Sequence, residues 1–145
     1  QKTGQRNTWA YQALSNYKRH LTLGKTLMGF LQKLRELSVE RCERYFFPLN
    51  AWNVLEWAGA AAGEAGETAN VAKKIRRLET YAIYDLYGEI NKDKRDKLMA
   101  QLGDEVADTI IYLDLLCASQ GIDLEDAVRR KFNQVSDKYG FKKTL

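Results

Sequence analysis

Four carboxylates are the residues of this chain best spaced to do chemistry together. Glu64 and Glu67 stand three apart, as do Glu105 and Asp108. On an α-helix that spacing keeps two side chains within about 60° of each other, offset by about 4.5 Å along the axis. Two such helices packed face to face would bring four negative charges together. Like charges in one site resist burial and raise each other's pKa. A hard divalent cation removes the conflict, and Mg²⁺ takes carboxylates, waters and phosphate oxygens as ligands; Mn²⁺ accepts the same donors. Alone, either pair is the ordinary pattern of a solvated helix face.

The neighbours shift that balance. Around the first pair lie Gly59, Gly63 and Gly66 among Ala60, Ala61, Ala62 and Ala65. Each glycine costs helix propensity, about 1 kcal/mol, which close helix approach or ligand access would justify. Around the second pair, Val106, Ile110, Ile111, Leu113, Leu115 and Leu116 make the helix apolar on most sides. Its carboxylates are therefore expected off the freely solvated face. At 100° per residue, Asn53, Trp57, Ala60, Glu64, Glu67 and Lys74 share one stripe about 100° wide. Such a stripe offers a flat apolar surface for a base, carboxylates for a metal on phosphates, and a cation for remaining anionic oxygens. Trp57 in the core and Lys74 on the surface are the plainer alternatives. Lys131, Asn133 and Lys138 add donors further along.

These residues must be positioned by helices. The 145 residues carry one proline, Pro48, and one histidine, His20. A single proline argues against linkers and sandwiches, and a single histidine excludes any site needing two imidazoles. Apolar residues make up 45% and mean hydropathy is −0.49, as for one globular domain. Apolar positions recur at helical spacing from about Trp9 to Phe47, with Gly24 as a break. Gly24-Lys25-Thr26 mimics the tail of a phosphate-binding loop but lacks the earlier glycine and the preceding strand. Asn50 is the expected cap of a helix running from Ala51 to about Leu78. A segment with Tyr81, Tyr84 and Tyr87 follows, and then Asn91 to Lys97, read as a solvated loop leading into a helix from about Asp93 to Ser119. Gly121 stops that helix, Asp123 caps the next with Asp126 three residues on, and Gly140 ends it after Lys138. The expected fold is all-α, a bundle of four or more helices in a single domain, with an N-terminal helical segment over residues 1–48 and a core over residues 51–141.

The net charge of +4 and pI near 9.0 mildly favour polyanionic partners. Cys42 and Cys117 match no metal spacing and read as buried thiols of a reducing compartment. No run of 18 apolar residues exists, so no membrane span is expected, and the expected location is cytoplasmic.

Gly63-Glu64-Ala65-Gly66-Glu67, Lys73-Lys74, Asp104-Glu105-Val106-Ala107-Asp108, Gly121-Ile122-Asp123-Leu124 and Lys131-Phe132-Asn133 together resemble the MazG-like all-α nucleoside triphosphate pyrophosphatases. The resemblance covers roughly Trp52 to Phe141, and its last segment looks most like phage-encoded members. It implies Mg²⁺ on Glu64, Glu67, Glu105 and Asp108, phosphate contacts from Lys131, Asn133 and Lys138, and homodimers or homotetramers. The implied reaction is hydrolysis of (d)NTPs to (d)NMP and pyrophosphate by water attack at the α-phosphorus, with Glu64 or Glu67 as an alternative general base. The stretch between Glu67 and Glu105 is long for this motif. The first fifty residues carry no family signature, and base selection is expected from them. The rival is a non-enzymatic basic helical module that binds nucleic acid or a partner protein; it accounts for the pI but not for the paired carboxylates.

Overall fold

The computed structural model describes residues 24–83 and 92–145. The expected helix start near Trp9, and Tyr84 and Tyr87, lie outside them. Four helices are described: α1 (Gly24–Tyr45), α2 (Val54–Ile83), α3 (Lys92–Ser119) and α4 (Leu124–Lys138), with a 3₁₀ turn at Leu49–Ala51 between α1 and α2. There is no strand among the described residues, and the fold is all-α as the periodicity requires. No described helix is long and apolar enough to cross a membrane.

Local chemistry sets most helix ends. Asn53 Oδ1 accepts from the backbone N–H of Leu55 and Glu56 at 2.8 and 3.1 Å, while Glu56 Oε2 accepts from Asn53 N–H at 2.7 Å. This reciprocal capping box starts α2. Asn53, not Asn50, is therefore the cap. Asn50 is held inside the 3₁₀ turn, where Ala51 N–H donates to Pro48 O at 2.8 Å. Asp123 Oδ1 accepts from Asp126 N–H at 3.0 Å and opens α4, as expected. Helices α3 and α4 end alike: Gly121 and Gly140 adopt φ of 65° and 67°. There Ile122 N–H reaches Cys117 O, and Phe141 N–H reaches Ser136 O, both at 2.8 Å. Only glycine takes that left-handed backbone at little cost. The run Asn91 to Lys97 differs from the loop expected there, because helix begins at Lys92 and the charged residues form its first turns.

The main packing unit is the antiparallel pair α2 and α3. Arg95 meets Glu79 at 3.8 Å at one end, and Trp57 packs with Leu115 and Tyr112 at the other. Helix α1 covers the Trp57 end through Cys42. Arg35 clamps α1 to α3. Its Nη2 and Nε donate to Asp114 Oδ1 at 2.6 and 3.0 Å, and Nη1 donates to Ile122 O at 2.6 Å. Asp114 is 3% exposed, and its other oxygen is buried with no partner.

Candidate metal centre and adjoining cavity

The α2–α3 interface brings carboxylate oxygens of Glu64, Glu105 and Asp108 within 4.8 Å of one another. Glu64 and Glu105 are half-buried and Asp108 is exposed. Gln101 Nε2 donates to Glu105 Oε1 at 3.3 Å, and none of the three carboxylates joins an ion pair among the described residues. Three oxygen-donor anions at this spacing, open on one side, fit a hard divalent cation such as Mg²⁺ with water or phosphate completing its shell.

Glu67 stands outside this set. The buried α2 residues Trp57, Ala61, Val71 and Ile75 mark the packed face of the helix. At 100° per residue, Glu64 lies about 20° from the centre of that face, Glu67 about 80° and Lys74 about 100°. Glu67 and Lys74 are accordingly exposed, and Lys74 sits about 15 Å along the axis from Glu64. The stripe expected from Asn53 to Lys74 thus splits by rotation around α2.

The glycines do not serve close helix packing. A Cβ added at Gly59, Gly63 or Gly66 would meet no atom within 4 Å. Nor is α3 sheltered on all sides: Ile110 and Leu113 are 42% and 41% exposed.

Beside the triad lies a cavity of about 260 Å³ that Asp108 also lines. Its aromatic walls are Phe46 and Phe47 after α1, Trp52 and Trp57 from the α2 entry, and Tyr112 from α3. Phe47, Trp52 and Trp57 pack with centroids 4.6 to 6.0 Å apart, Phe47 tilted against both indoles and Trp52 edge-on to Trp57. Trp57 is 1% exposed and its indole N–H donates to Leu49 O at 3.2 Å. It is therefore a core residue first, and presents to the cavity only what its neighbours leave uncovered. Ser38, Arg41 and Cys42 of α1 complete that side. Burial pushes the Cys42 thiol above its ordinary pKa, and its S–H donates to Phe47 O at 3.4 Å.

The other expected contact residues have local partners. Asn53 is engaged in the cap of α2. On α4, Lys131 Nζ donates to Gln134 Oε1 at 3.3 Å, and Asn133 Oδ1 accepts from Leu145 N–H at 3.0 Å. Lys138 Nζ lies 5.7 Å above the Tyr139 ring. Helix α4 packs on α1. The α1 contribution to the cavity and the Arg35–Asp114 clamp were not read from sequence. Cys42 and Cys117 are free thiols, the first buried as expected and the second half-buried. No family model, curated protein or solved structure matches this chain.

Proposed function

We propose that this chain is a Mg²⁺-dependent nucleoside triphosphate pyrophosphohydrolase that converts (d)NTPs to (d)NMP and pyrophosphate. The observation that carries this reading is the position of Asp108, a member of the carboxylate triad and at the same time a wall of the aromatic cavity. A ligand with an aromatic ring in that cavity would extend its polar end toward the triad. A nucleotide has that build: a flat base for the aromatic walls and a phosphate chain for a metal.

Glu64, Glu105 and Asp108 would hold the cation. When bound, Mg²⁺ neutralises phosphate charge and lowers the pKa of a coordinated water. Glu67, exposed one turn beyond Glu64, is left to accept a proton from the attacking water. Attack at the α-phosphorus is what the motif resemblance to MazG-like enzymes implies. Assembly belongs to the same reading. The apolar face of Ile110 and Leu113 on α3 is one a second copy would bury, giving a homodimer or homotetramer, which sedimentation at micromolar concentration reads directly.

Incubation with Mg²⁺ and each (d)NTP in ¹⁸O-labelled water tests the proposal. The expected products are monophosphate carrying the label and unlabelled pyrophosphate, with no diphosphate intermediate. Label in pyrophosphate or free phosphate would place the attack elsewhere, and no turnover of any nucleotide would overturn the assignment.

A further inference from the structure

The cavity beside Asp108 is lined by groups that give hydrogen bonds. Two are already committed, the Cys42 thiol to Phe47 O at 3.4 Å and the Trp57 indole to Leu49 O. Ser38 is not. It is 3% exposed, it lines the cavity, and its hydroxyl has no hydrogen-bond partner among the described residues. Arg41 follows it on the same face of α1, lines the same cavity, and pairs with no carboxylate among the described residues. Trp52 and Tyr112 add an indole N–H and a phenol. Arginine and tryptophan only donate, while the Ser38 and Tyr112 hydroxyls can donate or accept. The one obligate acceptor on the wall, Asp108, faces the triad as well. Arg41 is exposed and offers only donors, so a carbonyl edge can accept from it where an amino group cannot, and this side of the cavity favours an edge rich in acceptors.

The dimensions agree. From Asp108 to Leu115 the α3 side of the cavity runs about 10 Å along the helix, enough to separate a phosphate held at the triad from a base beside α1.

Resting on the nucleotide reading above, we infer that Ser38 and Arg41 select the base. They favour one with a carbonyl oxygen at pyrimidine position 4 or purine position 6 (uracil, thymine, guanine, hypoxanthine). Cytosine and adenine, which carry an amino group there, are disfavoured. The guanidinium faces that carbonyl, as arginine does when it reads guanine by O6 and N7, and the Ser38 hydroxyl supplies a second donor from inside the wall.

The test has two arms. In the first, kcat/KM is measured with Mg²⁺ for dGTP, dITP, dTTP and dUTP against dATP and dCTP. The wild type is expected to favour the carbonyl bases by about tenfold or more, and Arg41→Gln and Ser38→Ala each to bring that ratio toward one. An amino-base preference, or an equal loss on every substrate in Arg41→Gln, would overturn the inference; the latter would make Arg41 a phosphate contact. In the second arm, guanosine, thymidine, adenosine and cytidine are titrated without metal while tryptophan fluorescence is followed. Tighter binding of guanosine and thymidine, lost in Arg41→Gln, supports the inference even where no nucleotide is hydrolysed, and then only the hydrolase reading fails. Equal affinity for all four, or no binding of any, overturns the inference even where hydrolysis is observed.

Discussion

The hydroxyls of Thr68 and Thr109 meet across the α2–α3 interface at 3.5 Å. Each also lies within donating distance of a backbone carbonyl one turn back, Thr68 of Glu64 O at 3.1 Å and Thr109 of Glu105 O at 2.9 Å, so one hydroxyl turns its single proton across the interface while the other keeps its carbonyl. The contact thus sits one turn beyond two of the three clustered carboxylates and ties their helices in register. Thr109→Val keeps the shape and removes the hydroxyl. It is expected to cost about 0.5–1 kcal/mol of stability and to reduce the thermal stabilisation by Mg²⁺. Thr80→Val is the control, since its exposed hydroxyl bonds only to Arg76 O; a change beyond about 0.5 kcal/mol there would show that loss of the hydroxyl alone is responsible.

The triad predicts opposite effects on stability and activity. Glu64→Gln or Asp108→Asn removes one of three mutually repelling charges, so without metal each variant should melt higher than wild type. The rise in melting temperature that Mg²⁺ gives the wild type should shrink. Nucleotide turnover should fall on the order of 10²-fold or more. Melts in chelator and in Mg²⁺, with turnover beside them, decide the matter. Turnover near the wild-type rate at saturating Mg²⁺ would remove that residue from the ligand set.

Arg35 is expected to be the most costly single charge to delete. Arg35→Met would leave the Asp114 carboxylate buried with no cation, at a cost of about 3–5 kcal/mol. The double variant Arg35→Met with Asp114→Leu should regain most of that loss, because neither charge then needs compensation. Urea unfolding of the single and double variants measures both. A single-variant loss under about 1 kcal/mol would mean that water replaces the clamp.

Gly66 and Gly121 should respond to alanine with opposite signs. At Gly66 a Cβ meets nothing within 4 Å, so Gly66→Ala in mid-helix should stabilise by about 0.5–1 kcal/mol. At Gly121 the backbone is left-handed, with φ of 65°, and alanine there should destabilise by about 1–2 kcal/mol. Thermal melts check both. A fall in nucleotide turnover in Gly66→Ala, despite the higher melting temperature, would show that the open backbone serves ligand access.

The Cys42 thiol should react slowly. Its pKa is raised above the ordinary 9.0, chiefly by burial, so little thiolate is present at pH 8 and a disulfide reagent should modify it more slowly than the unfolded chain. The unfolded state ionises this thiol first as pH climbs past 9.0, so part of the stability is lost there. Replacing Cys42 by Val should flatten that decline between pH 8 and 10 in denaturant titrations.

Signals confined to a few residues were readable from sequence alone. Asp123 with Asp126, and Gly121 and Gly140 after their helices, act through hydrogen bonds spanning three to five residues, so neighbouring identities suffice to place those ends. Glu105 and Asp108 were legible as a pair because three-residue spacing puts side chains on one helix side whatever the fold; Glu64 and Glu67 have the same spacing, yet only Glu64 joins them. Rotation of one helix against another is not local. The capping box chose Asn53 over Asn50, and burial of Trp57, Val71 and Ile75 turned α2 so that Glu64 faces α3 while Glu67 and Lys74 do not. The Arg35–Asp114 clamp joins residues 79 positions apart, and the cavity takes Ser38 and Arg41 from α1 and Asp108 from α3. Such long-range neighbours exist only once packing has set the register and rotation of each helix, and helical periodicity carries information about neither.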